Sequence, residues 1–351
     1  MRSRFRTCVA AAAFLAAASV LPTAAAGSGS LEIRRIDTSS YPTIRVLVVA
    51  RSAGAPAPKL LTSRPSASGV TAENLAGLES IALVIDRSQP MRGAALAYAT
   101  SAARTLIATS PSTDQIGLLT VGSTTTTLAG FSAAGVDALP LLGQLSPDQS
   151  QGTALWDSLV QAVHSLRQRP LAGRVIVLVT AGVNTNHSRT FRDAIQAARA
   201  ERAAIYTVGI PSQLLVNGRW HTLGHRWYTP RQLELVATAT GGRYYGAPSP
   251  AALPSIYRAI GAELARTWEV DFATAARPGQ QLSFELASGA ARATGATAIS
   301  SRSVRKNSGG NVSFVLLLAL VFATVLVAFL LVPLRSAIVN HSWRREPPEL
   351  Y

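Results

Sequence analysis

Ile81-Ala82-Leu83-Val84-Ile85-Asp86-Arg87-Ser88-Gln89-Pro90 is the stretch of sequence that decides the fold. Its first five residues form an unbroken apolar run, which predicts a strand buried on both faces. The run ends at the carboxylate of Asp86. Buried strands of this kind occur in parallel sheets whose two faces are covered by helices, and such sheets bind ligands at the carboxyl edge of their strands. Asp86 to Pro90 are therefore candidate functional residues.

Strands and helices alternate around this stretch from Leu78 to Arg266. The further strands are predicted at Ile116–Val121, Thr124–Phe131, Arg174–Thr180, Ala204–Ile210 and Arg243–Tyr245. The helices are predicted at Gly93–Thr109, Thr153–Arg167, Phe191–Arg202, Arg231–Thr240 and Pro250–Arg266. This alternation predicts an α/β domain over 78–266, with a doubly wound, mostly parallel sheet and helices on both faces.

The segments that flank this domain have a different pattern. Residues 27–77 and 267–289 contain stretches in which apolar and polar residues alternate with period two, which is typical of half-buried strands. These stretches are Leu31–Asp37, Thr43–Arg51, Thr267–Ala273 and Gln281–Ala287. Neither flank is large enough to bury a core alone, so the hypothesis is that they pair into one small β-sandwich. Residues 290–311 are rich in Ser, Ala and Gly and are predicted to form a stalk.

Both ends of the chain carry membrane-related signals. Residues 1–26 are predicted to be an export signal peptide, with arginines at its start, an apolar stretch from Val9 to Leu21, and Ala24-Ala25-Ala26 as a cleavage site. Near the other end, 312–334 is predicted to be a transmembrane helix, because Thr324 is the one polar residue between Phe314 and Val332. The predicted topology is a single-pass protein of the cytoplasmic membrane, with an extracytoplasmic body and a short cytoplasmic tail, 335–351.

Composition excludes several classes of function. The chain of 351 residues has a net charge of +15, but residues 27–300 contain 24 basic and 16 acidic residues that are spread along the sequence. A nucleic-acid-binding protein would concentrate its basic residues in a patch. The sequence has no phosphate-binding glycine loop for a nucleotide and no nucleophile elbow, and its single cysteine, Cys8, lies in the signal peptide. We therefore predict that the protein is not an enzyme.

Five segments, taken in order, resemble the von Willebrand factor A domain. They are Asp86-Arg87-Ser88-Gln89-Pro90, Gly152-Thr153-Ala154-Leu155-Trp156-Asp157, Val175–Val179 with Thr180-Ala181-Gly182, Tyr206-Thr207-Val208-Gly209-Ile210, and Thr240-Gly241-Gly242-Arg243-Tyr244-Tyr245. The resemblance extends over about 190 residues. No single segment is specific, but five in the family's order, separated by helices of suitable length, identify the chain as similar to that family.

The resemblance implies a metal-ion-dependent adhesion site at the carboxyl edge of the sheet. In the family, an Asp-x-Ser-x-Ser loop, a threonine and a second aspartate hold Mg²⁺. Asp86, Ser88 and Thr153 match this pattern, whereas Pro90 and Ala181 replace the second serine and the second aspartate. One carboxylate and two hydroxyls provide little charge to hold a divalent ion against water. We expect a remnant site that needs no cofactor, and weak Mg²⁺ binding is the alternative.

A long connection at Pro211–Arg231 is a candidate surface for binding a partner. It contains Trp220, Arg226 and Trp227, and exposed Trp and Arg side chains are common anchors of protein interfaces. A variable surface loop without a specific role is the alternative interpretation. His221 and His225 have a spacing that would allow zinc ligation on a helix, but Leu223-Gly224 between them does not favour one.

Two hypotheses for function remain open at this point. The first is an exported, membrane-anchored interaction module that binds a protein at the outer face of the cytoplasmic membrane, without a strong metal requirement. The second is a structural or assembly subunit of a cell-envelope complex. Some bacterial tight-adherence pilus membrane proteins look similar, although this chain has one predicted span and a short tail instead of a second membrane domain. The Arg- and Ala-rich composition indicates a bacterial source.

Overall fold

The computed structural model describes residues 31–52, 54–167, 169–185, 188–211, 213–216, 219–222 and 230–299. The predicted signal peptide, transmembrane helix and tail lie outside these residues. Among the residues that are described, no helix is long and apolar enough to cross a membrane.

The described residues contain fifteen strands and six α-helices. The strands are β1 (Glu32–Asp37), β2 (Thr43–Val49), β3 (Lys59–Arg64), β4 (Ala67–Asn74), β5 (Glu79–Asp86), β6 (Gln115–Val121), β7 (Thr125–Ala133), β8 (Gly173–Thr180), β9 (Ala204–Gly209), β10 (Gln213–Val216), β11 (Arg219–Thr222), β12 (Tyr244–Gly246), β13 (Thr267–Thr274), β14 (Gln281–Ser288) and β15 (Ala291–Ala298). The helices are α1 (Ala94–Thr109), α2 (Ala138–Leu142), α3 (Leu155–Leu166), α4 (Phe191–Ala200), α5 (Pro230–Thr240) and α6 (Leu253–Leu264).

The central sheet has six strands in the order β12-β9-β8-β5-β6-β7. All neighbours in it are parallel except β7, which runs antiparallel to β6 at the edge. Every residue of β5 is buried, as its apolar run predicts, whereas the threonine-rich β7 is largely exposed. The sheet is therefore mixed, with the predicted parallel core and one antiparallel edge strand.

Helices cover both faces of this sheet, which confirms the predicted layering. Alternate residues of β5 point to opposite faces, so that Leu83 packs with α1 and α6 while Val84 packs with α3, α4 and α5. Because β5, β8 and β9 run parallel to one another, the loops that follow them lie at one edge of the sheet. That edge carries the candidate site.

The flanking segments form a β-sandwich. One of its sheets has the order β1-β2-β13-β4 and the other has the order β15-β14-β3, so each sheet takes strands from both sides of the α/β domain. Aliphatic residues of β2 pack between the sheets with Phe272 and Phe284, whose ring centroids are 5.3 Å apart. The hypothesis that the two flanks pair is confirmed.

The sequence analysis placed the end of the folded region too early. Residues 290–311 were predicted to be a stalk, but Ala291–Ala298 forms β15, which pairs with β14 along its whole length. The strand was missed because the residues on its inner side are two alanines, a glycine and a threonine, which give no apolar contrast. The strands β3 and β4 were missed for a related reason, since most of their side chains are partly or fully exposed.

A buried ion-pair network joins the sandwich to the α/β domain. Glu263, near the end of α6, accepts a hydrogen bond of 2.7 Å from Arg34 of β1 and one of 3.1 Å from the Tyr206 hydroxyl. Its other carboxylate oxygen lies 3.1 Å from Arg243 Nε. The side chains of Arg34 and Glu263 are 9% and 3% exposed. Burial, followed by the charge of Glu263, raises the pKa of Tyr245 to about 12.

This junction lies at the amino edge of the sheet, opposite the candidate site. Arg35 also crosses it, since its guanidinium donates hydrogen bonds to the carbonyl oxygens of Thr240 at 2.9 Å and Arg202 at 3.1 Å. These carbonyls end α5 and the turn that leads into β9. The sandwich is thereby held to the domain by charged and polar contacts and leaves the carboxyl edge uncovered.

Candidate functional site

The candidate site lies where β5 and β8, which are neighbours in the sheet, reach its carboxyl edge. Asp86 ends β5, and Ala181 follows β8. Thr153 lies on the loop that precedes α3. The structure places Ser88 in hydrogen-bond contact with Asp86 and connects Thr153 to the loop that follows β8.

Asp86 is fully buried, and hydrogen bonds occupy both of its carboxylate oxygens. Oδ1 accepts a bond of 2.8 Å from the Ser88 backbone N–H, and Oδ2 accepts bonds from the Thr180 hydroxyl at 2.7 Å and the Ala181 N–H at 3.3 Å. Burial raises the pKa of Asp86, although these hydrogen bonds act in the opposite direction. The carboxylate thus connects the two loops directly, as part of the protein's own hydrogen-bond network.

Ser88 and Pro90 follow in a short 3-10 turn at Gln89–Met91. The Ser88 hydroxyl is buried beside Asp86 and contributes to lowering the pKa of that carboxyl, against the larger effect of burial. It makes no hydrogen bond of ordinary geometry with a described residue. Pro90 brings no side-chain oxygen to the turn.

Backbone and side-chain hydrogen bonds connect Thr153 to the loop that follows β8. The Thr153 N–H donates to Thr185 Oγ1 at 2.8 Å, and the Thr185 N–H donates to the Thr153 carbonyl oxygen at 3.0 Å. On the same loop, Asn184 Oδ1 accepts hydrogen bonds from the N–H groups of Leu155 at 2.9 Å and Trp156 at 3.4 Å. Asn184 therefore caps the start of α3 from a neighbouring loop, because α3 has no side-chain cap of its own.

Asp148 is a second buried carboxylate at this edge, and the sequence analysis missed it. Its oxygens accept hydrogen bonds from the Ser123 N–H at 2.8 Å, the Ser123 hydroxyl at 3.1 Å and the Ser150 N–H at 3.0 Å. Burial opposes ionisation, but these bonds and the charge of Arg87 outweigh it and lower the pKa of Asp148. A Cβ at Gly122 would lie 2.0 Å from Asp148 Oδ2, so a glycine is needed there.

The residues present do not fit a Mg²⁺ ion. Such an ion needs near-octahedral oxygen ligands with substantial negative charge. Asp86 is a single carboxylate whose oxygens already accept three hydrogen bonds, Ala181 supplies no carboxylate, and Pro90 supplies no hydroxyl. Within the part of the chain that the structure describes, no group of three or more His, Cys, Asp or Glu side chains could hold a metal ion. Hydrogen bonds connect the loops that the metal would connect in the family's pattern.

The long connection after β9 contains an antiparallel hairpin, which the sequence analysis had predicted only as a loop. The strands β10 and β11 pair with Leu215 opposite Trp220 and Leu214 opposite His221. Trp220 thus belongs to β11, while Arg226, Trp227 and His225 lie outside the described residues. The sequence does carry a signal for this hairpin, because Asn-Gly, here Asn217-Gly218, is a common two-residue hairpin turn.

The fold agrees with comparisons to known proteins. The sequence model of the von Willebrand factor type A domain matches residues 80–259, and the chain belongs to this family. Its members are generally interaction modules rather than enzymes. No curated protein sequence matches the chain.

Solved structures of similar fold come from bacteria, among other sources. An aerotolerance-related membrane protein from Bacteroides fragilis, with multiple mutations to serines, is 20% identical, covers 53% of this chain and 98% of its own, and has a TM-score of 0.44. The conserved hypothetical protein BatB from Bacteroides thetaiotaomicron is 20% identical, covers 54% of this chain and 98% of its own, and has a TM-score of 0.43. A von Willebrand factor type A protein from Catenulispora acidiphila is 14% identical, covers 77% of this chain and 72% of its own, and has a TM-score of 0.46. At these values the likenesses carry no functional argument.

Proposed function

We propose that this chain is an exported, membrane-anchored interaction module that binds a protein outside the cytoplasmic membrane without a divalent ion. The export signal over 1–26 and the span over 312–334 are predictions from the sequence. Membership of the von Willebrand factor type A family supports a protein-binding role.

One observation carries the metal-free part of the proposal. The two loops that follow β5 and β8 are connected through Asp86, whose Oδ2 atom accepts hydrogen bonds from both Thr180 and Ala181. Three neutral donors of the protein stabilise this carboxylate through hydrogen bonds, which supports binding of a partner without a cation. The carboxyl edge is therefore preorganised as a surface for a partner, and the connection after β9 lies beside it.

The simultaneous replacement of Trp220, Arg226 and Trp227 by alanine is expected to weaken binding of the partner by about tenfold or more, because exposed Trp and Arg side chains supply much of the binding energy of an interface. The midpoint of thermal unfolding is expected to change little. The measurement is the yield of the crosslinked product after crosslinking of the full-length protein in its native membrane, beside its thermal unfolding curve.

A matched control places three alanines on the sandwich, at Lys59, Leu61 and Arg292, which are exposed and distant from the carboxyl edge. This control should crosslink like the unchanged protein. Equal crosslinking by the triple variant of the connection would refute this surface, and stoichiometric neighbours from a multi-span complex would favour the assembly hypothesis.

A further inference from the structure

A groove of about 550 Å³ lies beside α1, on the side of the domain rather than on its carboxyl edge. One wall is α1, with Leu96, Ala97 and Thr100. The other wall is the segment that follows α2, with Leu145 and Pro147. The upper end of the groove begins at Gly93, five residues after Ser88 along the chain.

The exposed surface of α1 is unusual for a helix that faces solvent. Its exposed residues include Ala94, Ala97, Tyr98 and Ser101, and Arg104 is its one charged residue. The outer face of a surface helix ordinarily carries several charged residues, as α4 does. Tyr98 is 41% exposed, which leaves a large aromatic ring beside this weakly polar surface.

Positive charge is present at both ends of the groove. Arg104 lines its lower end. At the upper end, Arg87 donates a hydrogen bond of 3.4 Å to the Ser146 carbonyl oxygen and Arg92 donates one of 3.5 Å to Gln149 Oε1. None of these three arginines forms an ion pair with a described residue, and all of the residues that line the groove are uncharged or basic. The buried Asp148 lies near Arg87 but is committed to its own hydrogen bonds.

We propose that this groove binds an acidic, partly apolar segment of the partner protein. The proposal rests on the proposed function, in that it names the chemistry of the partner and extends its contact from the carboxyl edge along α1. Leucine and proline side chains of the groove would contact the apolar residues of the segment, and the arginines at either end would pair with its carboxylates. The helix rises about 15 Å from Ala94 to Arg104, which an extended segment spans with about five residues, and Arg92 lies two residues before the helix.

The test uses two fluorescein-labelled synthetic peptides of about seven residues with the full-length protein at low ionic strength. One has glutamate at both ends with leucine and alanine between them, and the other has lysine at both ends. Fluorescence anisotropy should show that the glutamate peptide binds about tenfold or more tightly than the lysine peptide, and that salt weakens its binding. Equal binding of the two peptides, or binding of neither, would overturn the proposal.

Variants locate the binding. The double replacement Arg92→Glu with Arg104→Glu should weaken the affinity for the glutamate peptide by about tenfold or more. The control, Arg258→Glu with Arg277→Glu at exposed positions elsewhere, should leave this affinity unchanged. Ala97→Trp should fill the groove and block binding without lowering the midpoint of thermal unfolding. An undiminished affinity in both groove variants contradicts the proposal. So does self-association that Ala97→Trp abolishes, since the occupant would then be a second copy of the chain.

The two proposals fail in different ways. If the variant at Trp220, Arg226 and Trp227 loses the partner while the groove does not distinguish the two peptides, the groove is refuted and the proposed function stands. If the groove selects the glutamate peptide but no partner is captured at the membrane, the groove stands as a site and the proposed function is refuted.

Discussion

Replacement of Glu263 by alanine is expected to lower the free energy of unfolding by about 3–5 kcal/mol, because it removes the buried carboxylate from the guanidinium of Arg34 and leaves it the exposed carboxylate of Glu32, at 3.2 Å. The side chain of Arg34 is only 9% exposed and donates to Glu263 Oε1 at 2.7 Å. The same substitution removes the hydrogen-bond acceptor of the Tyr206 hydroxyl and the carboxylate beside Arg243. Glu263 therefore has two buried partners, Arg34 and Tyr206, and the more exposed Arg243.

Urea denaturation of the full-length protein measures this loss. Glu285→Ala is the matched control, since Glu285 pairs with Arg292 at 3.6 Å on the surface of the sandwich, where an ion pair contributes about 1 kcal/mol or less. If Glu263→Ala lowers the free energy of unfolding no more than the control does, the junction network does not stabilise the protein.

Replacement of Gly242 by alanine should have an effect of similar size through a different cause. A Cβ at this position would lie 2.1 Å from the Ile205 carbonyl oxygen and 2.5 Å from its carbon. These are backbone atoms of β9, and the Gly242 N–H is itself held by the Ala237 carbonyl oxygen at 3.0 Å. The turn between α5 and β12 must therefore move away from the sheet, at a cost of about 3 kcal/mol or more.

Thermal unfolding provides the measurement, and the expected decrease of the midpoint is about 6–12 °C for that cost in a folded region of this size. Gly130→Ala is the control, because a Cβ there would meet no atom within 4 Å and Gly130 also lies outside a helix, in β7. If the two alanine variants unfold at the same temperature, the close approach of the turn to Ile205 is wrong.

The sequence predicts those parts of the fold in which buried residues form a recognisable local pattern. The run Ile81–Ile85 is apolar because β5 is covered on both faces, and the same holds for β8. The strands β3 and β15 lie in the sandwich with small or exposed side chains, and no period-two apolar signal marks them. The size of the two flanks indicates that they pair, but it does not predict the order of the strands in the two sheets of the sandwich.

The sequence predicts which metal ligands of the family's pattern are missing from the candidate site, but not the hydrogen bonds that connect its loops. The sequence alone indicated that Pro90 and Ala181 lack the oxygen ligands of the family's pattern. Asn184 and Thr185 could not be identified in the same way, because their partners are 28 to 32 residues away along the chain and meet them only in the folded domain. Asp148 was missed for the same reason, since Ser123 precedes it by 25 residues.

The junction between the sandwich and the α/β domain was the feature hardest to predict from the sequence. Arg34 and Glu263 are separated by 229 residues, and neither belongs to a motif. A buried pair of this kind becomes visible only when strand order and helix placement are known. The network nevertheless sets the geometry of the whole folded region, because it fixes the sandwich at the amino edge and leaves the carboxyl edge free.

The central claim is that the carboxyl edge functions without a divalent ion, and calorimetric titration of the full-length protein with MgCl₂ tests it most directly. Both oxygens of Asp86 accept hydrogen bonds from the protein itself, so we expect no saturable binding heat in the micromolar range. Saturable binding at micromolar Mg²⁺, lost in a folded Asp86→Ala variant, would contradict the account.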